Sequence, residues 1–379
     1  MIVTSDWAGA ILRIDLKALV ENYRLIRDRV APSAVAAVIK ADAYGLGAAD
    51  VATVLSDAGC RHFFVAQLSE AVALGPRLPG GASLYILNGL RPGAEAECLA
   101  SGAVPVLNSL DQIERWSQLA ISRGRALPAV LQVDSGMSRL GLAGSELDLL
   151  KARPDPLRGV DLRLIMSHLA CSDEPDAPAN KAQLARFCAI ADRFPGVPRS
   201  LDNSGGAFRK GRHHFDIVRA GIALYGGAPQ AAAPNPMRPV VSLDAAIVQV
   251  RDVPAGTGVG YGLSFRTDAP SRIATIAVGY ADGWPRHLSN NGAAFIGGIR
   301  VPIAGRVSMD SITLDVTSVP GEMLYAGAPV ELLGPHQTVD DVAMHAGTIS
   351  YEILTRLGKR YAREYLPVRT PEHQRSACT

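Results

Sequence analysis

Short apolar runs alternate with amphipathic stretches along the first 220 residues. Many of these stretches have helical periodicity; in one of them Asn108 or Ser109 can cap a helix whose Ile113 and Trp116 share a face. The apolar runs are 16 to 35 residues apart and end near Lys40, Ala66, Asn88, Asn108, Asp134, His168, Asn203 and Arg219. Eight successive strand–helix units predict a parallel (β/α)8 barrel of the TIM type.

The pattern changes after Pro229. Residues 227–239 are rich in Ala, Pro and Asn, as in a linker, and short alternating strands follow at 240–250, 272–278, 298–304 and 312–316. Two short helices are predicted near the end, one capped by Thr338 and Asp341 and one beginning near Thr348. The sequence therefore predicts an α/β barrel over residues 1–235 and a C-terminal β-rich domain over residues 236–379.

Composition narrows the class of protein. The 379 residues are 48% hydrophobic and 20% charged with a net charge of +2, which indicates a globular protein with a sizeable core and no basic surface for nucleic acid. No apolar stretch reaches the roughly 18 residues needed to cross a membrane. The five cysteines are scattered without a C-x-x-C pair, so we expect no metal site, no disulfide framework and a reduced, cytoplasmic location.

Lys40 stands directly after the apolar run 35–39. A lysine at the end of a strand that is buried on both faces is partly desolvated, which lowers its pKa and makes a neutral, nucleophilic amine accessible. Amines in this setting form Schiff bases with carbonyl compounds or with pyridoxal phosphate (PLP). The alternative is an ordinary ammonium group that extends from the strand end into water.

Other polar side chains also follow the predicted strands, where functional groups of barrels lie. Each of them could also have a purely structural role. His168 could be a polar residue whose hydrogen bonds are all made within the protein, Arg219 an ion-pair partner, and Ser204 a helix cap. The turn at Ser204 and the segment Gly221–Ile222 offer backbone N–H groups suited to a phosphate. A phosphate site, a lysine and an aromatic side chain at one barrel mouth together predict a PLP site.

Residues 38–47 resemble the PLP-lysine motif of alanine racemases, and the resemblance covers nearly the whole chain. Further matching segments are 134–141, 167–168, 203–204, 218–226, 260–262, 278–286, 305–310 and 348–352. The family combines a PLP-binding barrel with a β-rich domain in a head-to-tail homodimer. The resemblance therefore implies an isomerase that interconverts L- and D-alanine and supplies D-alanine for peptidoglycan.

The resemblance also implies roles for individual residues. Lys40 is the residue that bonds PLP, His168 stacks on its ring and Arg219 faces the pyridine nitrogen. Arg139 reaches toward the ring hydroxyl and the substrate carboxylate. The remaining cofactor-binding residues, most of them around the phosphate, are Tyr44, Asn203, Ser204, Gly221, Ile222 and Tyr351.

A second set of residues is implied to act across a dimer. Tyr261 and Met309 come from the partner subunit, and Met309 and Asp310 lie at the substrate. The positions that match the access channel are Tyr280, Arg286, Arg306 and Ile349.

Racemisation removes a proton from Cα and returns one to the opposite face, so two bases suffice: Lys40 and Tyr261. A free lysine has a pKa of about 10.4 and a free tyrosine about 10, so both values must be lowered for the bases to act near neutral pH. Arg219 cannot give a proton to the pyridine nitrogen. We interpret this as a device that limits side reactions such as transamination.

One position departs from the family. Many alanine racemases have a lysine, often carbamylated, two residues before the matched aspartate, and this chain has Gln132 there. An amide cannot be carbamylated, so we expect Arg139 to be held by the Gln132 carbonyl, with a chloride ion near Gln132.

Three other functions are compatible with parts of the pattern. A racemase of broader specificity, for example for serine, would use the same fold. A basic amino-acid decarboxylase would place an acidic residue where Arg219 stands. A non-catalytic PLP carrier would lack both Tyr261 and the β-rich domain.

Overall fold

The computed structural model describes residues 7–152, 154–155, 157–209, 211, 214–231 and 233–368. The chain divides into two compact units. The barrel unit contains the described residues of Asn22–Met237 and Ser350–Thr355, and the strand-rich unit contains those of Met1–Glu21, Arg238–Ile349 and Arg356–Thr379.

After β1 (Ala10–Asp15), which belongs to the strand-rich unit, the chain forms eight parallel strands. They are β2 (Ala34–Val38), β3 (His62–Val65), β4 (Ser83–Ile86), β5 (Val104–Leu107), β6 (Leu127–Gln132), β7 (Val160–Met166), β8 (Arg199–Ser200) and β9 (Ile217–Ala220). Strands β2 to β8 pair in sequence order, and β9 pairs with β2 at Ala36↔Arg219. The sheet is thus a nearly closed barrel, and the predicted (β/α)8 architecture is confirmed.

Helices follow most of the strands. They are α1 (Leu16–Val30), α2 (Lys40–Gly45), α3 (Ala48–Asp57), α4 (Leu68–Leu74), α5 (Glu95–Ser101), α6 (Leu110–Ser122), α7 (Gly144–Ala152), α8 (Pro178–Ala191) and α9 (Ser204–Ala207). Helix α6 shows how sequence sets an element: the Ser109 hydroxyl accepts the Gln112 N–H at 3.3 Å, and Ile113 and Trp116 are buried on one face. Ser109 is therefore the cap, whereas the Asn108 side-chain amide donates to the carbonyls of Leu87, directly after β4, and Val106 in β5.

The barrel strands are apolar because both of their faces are covered. All four residues of β5 and of β9 are buried. Phe63 and Phe64 of β3 are fully buried, and each contributes about 1.5–3 kcal/mol by leaving water. Because the strands are apolar throughout, each strand ends in the sequence close to the point where the polar residues of the site begin.

The strand-rich unit contains β10 (Val241–Val253), which pairs with β1, β13 (Ser271–Ile276) and β17 (Pro329–Leu333). Its other elements are β11 (Gly258–Val259), β12 (Phe265–Arg266), β14 (Ala293–Ile296), β15 (Ile299–Pro302), β16 (Ile312–Asp315), α10 (Val339–Ala346) and β18 (Ala362–Leu366). Helix α11 (Ser350–Arg356) contributes Ser350–Thr355 to the barrel unit. The predicted β-rich C-terminal domain is confirmed.

The chain passes from the barrel unit to the strand-rich unit between Met237 and Arg238, close to the predicted boundary at residues 235–236. Strand β1 pairs with β10 at Leu12↔Leu243 and with β18 at Leu12↔Arg363, so residues 7–21 lie in the strand-rich unit. The predicted cap of α10 is present: Thr338 and Asp341 accept each other's backbone N–H groups. In the part of the chain that the structure describes, no helix has the length and apolar composition needed to cross a membrane.

Candidate active site

A cavity of about 390 Å³ opens at the carboxyl ends of the barrel strands. All of its lining residues belong to the barrel unit. Each side chain lies in the last residues of a barrel strand or in the segment that follows it, except for Tyr351, which α11 supplies. The lining residues are Val38, Lys40, Tyr44, Ala66, Leu87, Asn88, Gln132, Arg139, Leu140, Met166, His168, Asn203, Ser204, Arg219, Gly221 and Tyr351.

Lys40 is half-buried at the end of β2, where Ile39 is tied to the next strand by its N–H bond to the Phe64 carbonyl (2.8 Å). Burial lowers the pKa of the Lys40 amine, and the positive charge of Arg139 lowers it further. Both effects favour the neutral amine that the sequence predicted.

The backbone after Lys40 is left-handed. Residues 41–44, called the left-handed turn below, have φ between 53° and 57° and ψ between 35° and 52°. None of the four is glycine, and this conformation costs an L-residue roughly 1–2 kcal/mol. Contacts with the fold offset that cost: Tyr44 is buried, and the Asp42 carboxylate accepts the Ala48 N–H at 2.8 Å. Strain held in this way is typical of functional segments.

The left-handed turn allows a stability prediction. Ala41 is exposed with φ 53°, so Ala41→Gly removes steric strain and should raise the unfolding temperature. Ala182 is exposed in the right-handed helix α8, and Ala182→Gly should cost about 1 kcal/mol and lower it. Thermal unfolding of both variants checks this, and a loss of stability in Ala41→Gly contradicts it.

Arg219 is a buried cation held by uncharged oxygens. Its guanidinium donates to the Ser200 hydroxyl at 2.5 Å and to the carbonyls of Ser167 at 2.6 Å and Leu201 at 3.3 Å. Burial lowers its pKa to about 10, with the negative charge of Asp202 acting against this. Arg219 therefore remains charged at neutral pH and faces the cavity as a donor.

His168 lies against Arg219 in the cavity wall. Arg219 Nη2 is 3.2 Å from His168 Nδ1, and this nitrogen can accept the bond only while the ring is neutral. Burial, together with the charges of Arg219, Arg139 and Lys40, lowers the pKa of His168 to about 3. His168 thus offers a neutral aromatic surface and is not a base at neutral pH.

Another part of the cavity wall provides small groups and a hydroxyl donor. The Ser204 hydroxyl accepts the N–H groups of Gly221 (2.8 Å) and Ala223 (3.3 Å), which leaves its own hydrogen to donate to the cavity. A Cβ at Gly221 would lie 2.4 Å from Tyr44 Oη, so this position requires glycine. Asn203 caps α9 by accepting the Gly206 N–H, and Ile222 begins a short 3-10 helix.

Two tyrosines close this end. The rings of Tyr44 and Tyr351 are 5.8 Å apart. Burial raises the pKa of Tyr44, and burial raises that of Tyr351 to about 12, so both hydroxyls keep their protons and act as donors. Tyr351 lies in the range that the sequence prediction assigned to the C-terminal domain, yet it belongs to the barrel unit.

Gln132 and Arg139 both line the cavity. Gln132 is 6% exposed and Arg139 is exposed. Among the described residues, no hydrogen bond joins the Gln132 side-chain carbonyl to Arg139 in this structure. Both side chains, an amide and a guanidinium, line the same cavity.

The predicted partner residues lie in the strand-rich unit. Tyr261 is 70% exposed and stands between Gly260 and Gly262, both with positive φ. Met309 is 53% exposed. Exposure of these side chains on a single chain is compatible with a role at another copy.

Asp310 has an internal partner. Its carboxylate pairs with Arg360 at 2.7 Å, and Arg360 also pairs with the buried Asp282. The Met309 carbonyl accepts the Ala281 N–H at 2.9 Å, which holds the Met309 segment to the Tyr280 segment.

The predicted access-channel residues also belong to the strand-rich unit. Arg286 and Arg306 line one shallow pocket on its surface, together with His287 and Ser289. Tyr280 is 41% exposed and Ile349 is 61% exposed.

Sequence reasoning missed the contribution of Glu70. Its carboxylate accepts the Ala41 N–H at 2.6 Å, directly after Lys40. The available signal was its position as third residue of α4 after Gln67, a capping-box spacing. That signal predicts a helix cap and carries no information about the lysine.

The charges of the cavity indicate its ligand. Among its described lining residues are three basic side chains, Lys40, Arg139 and Arg219, and no carboxylate. A ligand with a phosphate at one end and a carbonyl group near Lys40 fits this arrangement, since Ser204 and Tyr44 provide hydroxyl donors beside the space that Gly221 leaves free of a side chain. The residues present therefore suit PLP.

Comparison with known proteins identifies the family to which the chain is similar. A model of the alanine racemase N-terminal domain matches residues 14–229, and a model of the C-terminal domain matches residues 240–365. The chain is 54% identical to a catabolic alanine racemase of Agrobacterium fabrum over 359 residues, which is 95% of this chain and 92% of that protein. It is likewise 54% identical to the alanine racemase of Brucella canis, over 95% of this chain and 94% of that protein.

A solved structure extends the comparison. The crystal structure of alanine racemase from Bartonella henselae with covalently bound pyridoxal phosphate is 45% identical, with a TM-score of 0.91. The match covers 95% of this chain and 100% of that one. From its two domain matches and these full-length similarities, the chain belongs to the alanine racemase family.

Proposed function

We propose that this chain is a PLP-dependent alanine racemase that interconverts L- and D-alanine. The observation that carries the proposal is Lys40, a lysine with a lowered pKa in a cavity whose described lining has no carboxylate. Its family and the PLP-bound Bartonella henselae relative support the cofactor.

The barrel residues divide the work of holding the cofactor. Lys40 would attach it, Ser204, Tyr44 and Tyr351 would donate hydrogen bonds to its phosphate, and His168 would stack on its ring. Arg219 would face the ring nitrogen, to which it could only donate. Bound PLP supplies an electron sink for the negative charge that develops at Cα. Arg139 binds the substrate carboxylate.

Within the cavity Lys40 is the group suited to take a proton at neutral pH. His168 has too low a pKa to act as a base, and Tyr44 and Tyr351 have raised pKa values. A second base is needed on the opposite face of Cα. We assign that role to Tyr261 of the partner subunit, with Met309 and Asp310 beside the substrate.

The proposal includes a homodimer with shared active sites. Tyr280, Arg286, Arg306 and Ile349 then line the route by which alanine enters. Supply of D-alanine for peptidoglycan and a cytoplasmic location also belong to the proposal. The C-terminal domain match counts against a barrel-only PLP carrier.

The direct test is incubation of the purified, PLP-loaded protein with L-alanine, followed by chiral chromatography. We expect the mixture to approach equal amounts of the two enantiomers, with the same end point from D-alanine. A protein that binds PLP but forms no D-alanine contradicts the proposal. A panel of other amino acids in the same assay measures the specificity.

Replacing Arg219 by glutamate is expected to shift the reaction toward side products. A carboxyl group in place of Arg219 could share a proton with the ring nitrogen of bound PLP, which would make the cofactor a stronger electron sink and would favour protonation at positions other than Cα. We expect slower racemisation and an increase of about 10-fold in pyruvate formed per D-alanine, with water supplying the carbonyl oxygen of pyruvate and the amino group of alanine transferred to the cofactor. An unchanged product ratio in Arg219→Glu contradicts the assigned role of Arg219.

Gln132 leads to a prediction about anions. Because an amide cannot be carbamylated, activity should be independent of added bicarbonate, whereas Gln132→Lys should gain a response to it. We further propose that chloride binds near Gln132 and orients Arg139. Assays in chloride-free buffer, with and without bicarbonate, test both points, and clear activation of the unmodified chain by bicarbonate contradicts the first.

A further inference from the structure

We propose that Glu70 is a positioning residue for Lys40: its carboxylate holds the left-handed turn and so sets the direction in which Lys40 enters the cavity. The catalytic part of this inference rests on the proposed function, because the direction of Lys40 matters for catalysis only if this amine moves the Cα proton.

The carboxylate of Glu70 joins two segments at the barrel mouth. Its Oε1 accepts the Ala41 N–H at 2.6 Å, and its Oε2 accepts the N–H groups of Ala66 at 2.8 Å and Gln67 at 3.0 Å. Hydrogen bonds to an ionised carboxylate are short and strong, and three from backbone groups define the position of the carboxylate. The start of the left-handed turn is thereby fixed to the loop that leads from β3 to α4.

The bond to Ala41 acts on Lys40 itself. The Ala41 nitrogen belongs to the peptide group that follows Lys40, so its hydrogen bond fixes the plane of that peptide. Alanine does not favour left-handed backbone, and such conformations persist only where the surrounding structure holds them. Glu70 is the side chain that supplies this hold at the first residue of the turn.

Glu70 also contributes charge. Its carboxylate raises the pKa of Lys40, against burial and Arg139, which lower it. Without this charge the Lys40 amine would lose its proton at a still lower pH. Geometry and charge therefore both connect Glu70 to Lys40.

The competing explanation is that Glu70 is only a helix cap. Glu146 provides the comparison, since it accepts the Ala143 N–H at 3.0 Å at the start of α7 and does not line the cavity. If Glu70 were only a cap, substitutions at the two glutamates would lower stability alike and leave Lys40 unaffected.

The first experiment compares Glu70→Ala with Glu146→Ala in the full chain loaded with PLP. We expect kcat of Glu70→Ala to fall about 10- to 100-fold with little change in KM, because the base is misdirected while the substrate still binds. Hydrogen–deuterium exchange of a peptide covering 36–47 should show one additional fast amide in Glu70→Ala and none in Glu146→Ala. Wild-type kcat and wild-type exchange in Glu70→Ala would overturn the proposal.

The second experiment uses the milder variant Glu70→Gln, which keeps one acceptor oxygen, and so remains available if Glu70→Ala does not fold. The rate at which cyanate modifies Lys40 in the PLP-free full chain is followed against pH by mass spectrometry. We expect the midpoint to move to lower pH in Glu70→Gln and to stay unchanged in Glu146→Gln. An unchanged or higher midpoint in Glu70→Gln would overturn the electrostatic part. If the wild-type chain does not racemise alanine, the proposed function fails, whereas exchange and cyanate modification still decide the role of Glu70.

Discussion

Replacing Lys40 with alanine is expected to reduce racemisation at least about 10⁴-fold, because both the covalent anchor and one base are lost. No other lysine is present among the described residues that line the cavity, so no neighbouring amine can substitute. Chiral chromatography measures the loss, and borohydride reduction followed by mass spectrometry should find no cofactor attached to the variant.

Lys181 provides the matched control, since it is exposed on α8 and does not line the cavity. Lys181→Ala should keep wild-type activity and a cofactor attached at Lys40. Activity of Lys40→Ala within tenfold of wild type would show that the base lies elsewhere.

Replacing Tyr261 with phenylalanine should lower racemisation in both directions about 10²- to 10⁴-fold, the usual contribution of a general acid–base group. The substitution removes only the hydroxyl. Lys40 should still exchange the Cα proton of one enantiomer with solvent. In D₂O that enantiomer should therefore gain deuterium at Cα without being inverted, whereas the other enantiomer should gain none. Proton NMR of L- and D-alanine after incubation measures this.

The control for Tyr261 is Tyr325→Phe, since Tyr325 is 59% exposed in the same unit and has no assigned role. It should leave racemisation unchanged. Retention of full racemisation by Tyr261→Phe, or loss of exchange for both enantiomers with PLP still bound, would contradict the two-base assignment.

The two variants together test the shared active site. A dimer of one Lys40→Ala chain and one Tyr261→Phe chain carries both defects in one site and none in the other, if Tyr261 acts on the partner subunit. Random mixing should therefore restore about a quarter of wild-type activity. If each chain supplied both bases to its own site, mixing would restore none.

The pattern of apolar and polar residues along the chain was sufficient to predict much of the architecture. The eight apolar runs predicted the barrel strands, and the polar residue after a run marked a position at the mouth, as with Lys40 and His168. Burial on both faces makes such strands continuous in apolar residues, so their ends are visible in sequence. Roles taken from the family resemblance, including those of Tyr261 and Met309, remain predictions.

Other features depend on partners far apart in the chain. Strand β1 joins the strand-rich unit because it pairs with β10 and β18, and Tyr351 joins the cavity although most of its neighbours in sequence do not. Pairings across more than 200 residues leave no local periodicity that could reveal them. The hydrogen-bond partners of Arg219 also come from separate segments. Its guanidinium donates to the Ser200 hydroxyl in β8, to the Leu201 carbonyl directly after β8, and to the Ser167 carbonyl directly after β7.

The sequence by itself determined the barrel, the β-rich domain and the position of Lys40 at a strand end, because each follows from the spacing of apolar residues. Only the tertiary structure decided how Lys40 is aimed. The left-handed turn of residues 41–44 contains no glycine to signal it, and the Ala41 N–H that begins it is held by Glu70, 29 residues further along the chain. A strained backbone is stabilised by contacts from outside its own segment, and for that reason it becomes visible only in the folded molecule.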